Sequence, residues 1–267
     1  IIGQLTNIIN NELVPKTYDN ADKGRVDIWA VKTLLAKVYM TQNRLSEART
    51  LLLDVEKNSG YGLLDNDYEK VFATDNEMNE EIIFAIRFKA GGYGLGSPFA
   101  NYFAPQNSGN VVVNSGGLGH NCPTTDLMDA YEPGDKRKDV TTGWTWTAPN
   151  GTVNYVAYVK KYLSQVQTIN DAENDWPLIR FADVILMLAE IENEITGPSA
   201  GLPYLNQTRT RAGLTALNAS DFSNKNTFRL AVENERRLEF AFENHRLFDL
   251  IRTGRLVQVM KPHYDTE

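Results

Sequence analysis

Trp144 and Trp146 alternate with Thr145 and Thr147 in a stretch of Gly, Thr, Asn and Pro that makes poor core material. Indole rings held at a surface suit the apolar C–H faces of sugars, while neighbouring Asn, Asp and Thr can meet hydroxyl groups. Alternation on a strand would put both rings on one face, where they could instead cover a layer of helices. Tyr93, Asn101, Tyr102 and Tyr155 lie in similar sequence and complete the set of ligand-binding candidates. These residue types suit adsorption of a neutral, hydroxyl-rich ligand, with no bond made or broken.

Catalytic chemistry has little support. His120, His245 and His263 fall in a glycine loop, a charged helix and the tail, and no nucleophile elbow, zinc-protease helix or phosphate loop occurs. Gly92, Gly94 and Gly96 follow a strand-like run, but the third glycine is misplaced for a dinucleotide fingerprint and no helix is expected behind it. Asp126, Asp129, Glu132, Asp135 and Asp139 could supply a glycosidase pair, yet a solvated helix with a charged turn explains them as well. Asp65-Asn66-Asp67 with Glu69 offers calcium-like oxygens without the glycine and closing glutamate of an EF-hand, so a turn is expected. No catalytic residue, metal ligand or cofactor is assigned.

Charge and aromatic residues mix densely from Glu235-Arg236-Arg237 to His245-Arg246-Leu247-Phe248-Asp249. A basic binding face is one reading. Leu238, Phe240, Phe242, Leu247, Phe248 and Ile251 make the segment apolar on more than one side, however, which points to burial. The arginines then need carboxylate partners such as Glu239, Asp249 or Asp183.

The elements that must position these groups are mainly helical. From 23 to 60, Ile28, Val31, Leu34, Leu35 and Val38 recur at helical spacing, Gln42-Asn43-Arg44 turns, and Ala48, Leu51, Leu52 and Val55 line a returning helix. Ala36, Tyr39, Ala48, Leu52 and Val55 match the offsets at which a tetratricopeptide repeat interlocks two helices. Between 179 and 213, Leu188, Ala189, Gly201 and Leu205 repeat the spacing of Leu35, Ala36, Ala48 and Leu52. One such unit cannot bury its apolar face alone, so the two must meet in space. A C-terminal helix is expected over about 226–253, short strand and helix near 81–88 and 124–131, and a loop-rich ligand region over about 88–175. The fold class expected is mainly α, with tetratricopeptide-like hairpins beside a loop-rich region and a few short strands.

With 267 residues, 42% hydrophobic and 23% charged, the composition is that of one large globular domain or two small ones. A net charge of −7 disfavours nucleic acid, whose phosphates need a basic stripe. The single cysteine, Cys122, excludes an internal disulfide and a cysteine zinc site. No window reaches the roughly 18 apolar residues of a membrane span. The opening Ile1-Ile2-Gly3 carries neither Met nor a signal peptide and reads as cut from a longer chain.

The run Trp176-Pro177-Leu178-Ile179-Arg180-Phe181-Ala182-Asp183-Val184 through Ala189-Glu190 resembles the SusD/RagB family, as does Leu205-Asn206 with Arg209-Thr210-Arg211-Ala212-Gly213-Leu214. Glu81-Ile82-Ile83-Phe84, Pro123-Thr124-Thr125-Asp126 with Asp135-Lys136-Arg137, and Glu235-Arg236-Arg237 with Arg246-Leu247-Phe248-Asp249-Leu250-Ile251-Arg252-Thr253-Gly254 agree too. His245 stands where many members have glycine. The resemblance spans 25 to 254 and implies one SusD-like domain over 1–267, truncated relative to members about twice as long. It further implies an outer-membrane, cell-surface lipoprotein that passes oligosaccharide, in some members peptide, to a SusC-like TonB-dependent transporter. Its lipid anchor would lie outside this chain, because Cys122 is mid-chain. The matching motifs are all scaffold, so the binding residues rest on composition. The competing readings are a tetratricopeptide scaffold for a peptide or protein partner and, more weakly, a glycosidase.

Overall fold

The computed structural model describes residues 1–19, 22–64 and 67–265. Its frame is two helical hairpins. α1 (Ile2–Asn10) packs against α2 (Ile28–Thr41), which turns through Asn43 at φ +57° into α3 (Leu45–Asn58). Asp27 caps α2, accepting from the Ala30 amide at 2.8 Å and from the Tyr61 hydroxyl at 2.8 Å. The expected interlock is present: Ala36, Ala48, Leu52 and Val55 are fully buried at the α2–α3 seam or nearly so.

The middle of the chain supplies only short elements: α4 (Phe99–Phe103), α5 (Thr125–Asp129) and α6 (Arg137–Thr141). The second hairpin follows as α7 (Phe181–Ile195) and α8 (Pro198–Arg211). α7 packs on α3, so the two hairpins do share one core. It is buried nearly all round, as a helix with packed neighbours on several sides must be. Gly201 shows why the repeat needs a small residue: a Cβ there would stand 2.4 Å from the Ala189 carbonyl oxygen and 2.8 Å from the Phe228 ring.

The last block departs from the single helix expected over 226–253. It is α9 (Lys225–Glu239), α10 (Arg246–Arg252) and then α11 (Leu256–Tyr264). The break has a physical cause in donors that arrive from distant segments. Tyr68 donates to the Glu239 carbonyl at 2.7 Å, Arg180 to the same oxygen at 3.2 Å, and Lys161 to the Ala241 carbonyl at 3.0 Å. With those carbonyls engaged, the chain turns through Phe242 and Asn244 at positive φ. The strands form two pairs: β1 (Ile82–Ile86) with β4 (Trp176–Arg180), and β2 (Thr142–Thr147) with β3 (Val153–Val159), both antiparallel. The fold is mainly helical with a few short strands, as the sequence implied. α1 was not anticipated.

Between frame and loops lies a buried ion-pair network. Arg180 reaches Glu239 at 3.0 Å, Glu243 at 2.7 Å and Glu81; Arg211 holds Glu81 at 2.9 Å and also meets Glu239. Arg137 joins from α6 through Asp135 at 2.8 Å and Glu235 at 2.6 Å. Burial alone would raise the Glu239 carboxyl; Arg211, Arg180 and Arg137 outweigh it and hold the group well below the usual range. Arg236 takes Asp183 and Asp249, each at 2.8 Å, so the carboxylates expected as partners are the ones used.

Candidate functional site

The two tryptophans stand on the β2–β3 hairpin. Its root is fixed by α6, whose Arg137 belongs to the buried network. Its tip is a turn over 148–151, closed by the Gly151 amide to the Ala148 carbonyl at 2.9 Å with Gly151 at φ +85°. Gly143 must be glycine, since a Cβ would fall 2.3 Å from the Tyr158 ring that lies over it. Gly143 pairs with Tyr158 and Thr145 with Tyr155, leaving Val156 and Ala157 opposite Trp144. The extra residue therefore sits on β3, and β2 alternates without interruption. Trp144 and Trp146 share one face with Asn154, the partner of Trp146, while Tyr155 takes the opposite face beside Thr145.

Trp144 is 46% exposed and Trp146 half-buried, its indole Nε1 without a hydrogen-bond partner among the described residues. Such a donor costs about 1–3 kcal/mol while unmet. Tyr155, on the far face, is 84% exposed. The sequence grouped these three rings; the pairing register separates Tyr155 from the other two.

The remaining candidates divide again. Asn101 is fully buried. Its amide donates to the Asn114 and Gly116 carbonyls at 3.0 and 2.7 Å, and its oxygen accepts from the Asn170 amide at 2.8 Å. It ties the 114–116 loop and the turn at 170 to α4, with both amide donors used inside the protein. Tyr102 is half-buried with its ring 5.1 Å from that of His120. Tyr93 is exposed, with the Lys89 ammonium 5.4 Å from its ring centre. Other aromatics of the middle are core: Tyr162 and Trp176 stack at 4.9 Å, and Phe99 lies 4.4 Å from Trp176. Composition alone does not distinguish these from surface rings.

The glycine loop proves to be an internal anion cradle. The Gly91 and Gly92 amides both donate to the Asp171 carboxylate at 2.9 Å, and a Cβ on Gly96 would collide with the same residue. A helix does open soon afterwards, α4 at Phe99, contrary to expectation; with five residues and its loop amides already on Asp171, it makes no phosphate site. Of the acids considered for hydrolysis, Asp126 pairs with Arg237, Glu132 with Arg209 at 2.7 Å and Asp135 with Arg137. Among the described residues no group of three or more His, Cys, Asp or Glu is placed to hold a metal ion. The calcium-like run falls partly outside the described residues at Asp65 and Asn66; Asp67 caps a 3-10 turn over Tyr68–Val71. A separate hollow of about 900 Å³ lies along α9, α10 and α11, with Leu247, Phe248 and Val257 in its walls, and shares no residue with the hairpin.

Comparison with known proteins adds the context that geometry lacks. Residues 142–266 match the model of the SusD family. A SusD-like protein, P25, of Formosa agariphila is 28% identical over 91% of this chain and 53% of its own length. One from Bacteroides ovatus is 27% identical over 91% of this chain and 49% of its own. Surface glycan-binding protein A from Bacteroides thetaiotaomicron, solved in complex with laminarihexaose, superposes with a TM-score of 0.81 at 24% identity, covering 97% of this chain and 61% of that one. This last likeness is one of fold. The chain spans about half the length of the curated relatives it matches.

Proposed function

The chain belongs to the SusD/RagB family, and from that premise we propose that it is part of a non-catalytic, cell-surface glycan-binding protein that captures oligosaccharide and delivers it to a SusC-like TonB-dependent transporter. Residues 1–267 are taken as one SusD-like domain, held at the outer membrane by a lipid anchor outside the chain. The observation that carries the reading is the pair Trp144 and Trp146 on one face of a projecting hairpin, with Asn154 beside them. Indoles so placed offer flat apolar surface to pyranose rings, and amide and hydroxyl neighbours can take their polar edges. The laminarihexaose bound by the structural neighbour makes that hexasaccharide the first ligand to try.

Calorimetric titration of the purified protein against laminarihexaose and a panel of other neutral oligosaccharides tests the site. At least one glycan is expected to bind, with Trp144→Ala and Trp146→Ala each weakening it about tenfold, the loss of one buried aromatic contact. Tyr155→Ala, on the other face, is expected to leave affinity within about twofold. Full affinity in the double tryptophan variant would remove the hairpin from the site, and release of shortened products would overturn the non-catalytic reading. Delivery is tested separately, by co-purification of the cell-surface protein with its transporter.

A further inference from the structure

A second hollow, about 570 Å³, lies at the foot of the hairpin, where Asp139 and Val140 lead into β2 and Lys160 and Lys161 leave β3. Its size falls in the usual range for small-ligand sites. We propose that this cleft binds a hydroxyl-rich ligand carrying a protonated amine, an amino sugar, at a site distinct from the tryptophan face.

Charge gives the first reason. Glu69, Asp75 and Asp139 line the cleft, are exposed, and have no ion-pair partner among the described residues. The two lysines offset them only in part, Lys160 balancing one of the three charges. The Lys160 ammonium rests on the Asp139 carbonyl at 2.5 Å. Lys161 is buried, directed at the Glu243 carboxylate at 2.8 Å and the Ala241 carbonyl at 3.0 Å, and so belongs to the interior network. The lining is left with a surplus of negative charge facing solvent.

The second reason is independent. Asn174 lines the cleft and is only 3% exposed. Its oxygen accepts from the Ser164 hydroxyl, while its amide nitrogen donates to no group among the described residues. Two unused donors on a largely buried residue, at the wall of a polar hollow, suit an acceptor that arrives from outside. Phe72 and Leu163 add apolar surface for the C–H face of a ring. The carboxylates do not converge as metal ligands do. Dispersed negative charge around amide and hydroxyl groups fits an extended organic cation with hydroxyls better than a compact ion.

The test compares a β-1,4-linked glucosamine tetrasaccharide with its fully N-acetylated counterpart, which keeps the skeleton and removes the charge. Both are titrated into the wild-type protein at low salt and mildly acidic pH, with calorimetry and with NMR of the Asn174 side-chain amide. The amine form is expected to bind, to move the Asn174 resonances, and to weaken as salt is raised. The double variant Glu69→Gln/Asp75→Asn, altered at exposed positions that leave the fold intact, should weaken it about fivefold. Trp144→Ala/Trp146→Ala should leave it unchanged, so failure here and failure of the hairpin reading are separable. Equal binding of the two tetrasaccharides, a silent Asn174, an undiminished double acid variant, or loss of binding in the tryptophan variant would each overturn the proposal.

Discussion

The helical frame and the loop-rich middle stabilise their buried polar groups in opposite ways. In the frame, long side chains from distant segments converge: Arg180, Arg211 and Arg137 share Glu81, Glu235, Glu239 and Glu243 in a space with almost no solvent. In the middle, short side chains hold backbone a few angstroms away: Asn101 on Asn114, Gly116 and Asn170, and Asp171 on Gly91 and Gly92. The first arrangement fixes how helices and strands meet. The second lets an irregular chain hold one shape while leaving rings such as Trp144 and Tyr93 at the surface. The frame is thus committed by charge that cannot be left unpaired, and the middle by hydrogen bonds that are individually modest.

The sharpest way to break that contrast is to cut the network at its centre. Arg180→Ala leaves Glu81, Glu239 and Glu243 one positive charge short in the interior, with only Arg211, Arg137 and Lys161 still beside them, and should cost about 3–5 kcal/mol, read as a fall in urea midpoint. A loss below about 1 kcal/mol would show that solvent enters the network and that the frame is held by its apolar core alone. Asn101→Ala is the matching cut in the middle. It leaves two carbonyls and one amide unmet, and about 2 kcal/mol is expected. Hydrogen exchange should report the loss in the segments around 114–116 and 170, with α7 unaffected.

Acid titration gives a smaller effect that sharpens the comparison. Half-buried His245 has its imidazole pushed down from 6.5 to about 4 by desolvation. Asp183 pulls the other way, while Lys37, 3.5 Å from Nδ1, and Arg236 add to the fall. The ring also stacks on Phe240 at 4.6 Å. Because its folded pKa is below the unfolded one, the unfolded chain takes the proton first. Stability is then complete above pH 6.5 and drains away between 6.5 and 4, by about 2 kcal/mol. Asp183, Glu239 and Glu243 are also held below their usual range, and their contributions are lost only at lower pH. His245→Asn should flatten the upper window and leave the acid limb; a wild-type urea midpoint constant from pH 6.5 to 4 would refute the assignment.

The same contrast explains what could be read from the sequence. Ala36, Ala48, Ala189 and Gly201 sit at fixed offsets because two helices touch there, so spacing alone located both hairpins and their shared core. The buried partners Asp183, Glu239 and Asp249 were legible too, since arginines set among apolar residues must find carboxylates. The end of α9 was not. It depends on Tyr68, Lys161 and Arg180 capturing carbonyls from far along the chain, and no local signal carries that information. In the middle, composition located the hairpin tryptophans but could not separate surface rings from core rings such as Tyr162. Nor could it see that Asn101 is a clamp, or that the register set by the turn pairs Tyr155 with Thr145, on the face away from the tryptophans.

Ile86 at the end of β1 lies opposite Trp176 at the start of β4. The chain from 87 to 175 therefore departs from the frame and returns to it at neighbouring points. To the frame, that whole stretch is one closed loop, and loop closure is nearly indifferent to length: each doubling costs only about 0.6 kcal/mol of chain entropy. The hairpin tip and the glycine loop within it can lengthen, shorten or be exchanged, provided Arg137 and Lys161 still reach the buried carboxylates and Glu81 and Arg180 keep gripping each other at the stem. Such an architecture lets the exposed loops diversify rapidly under selection without renegotiating how the helices pack.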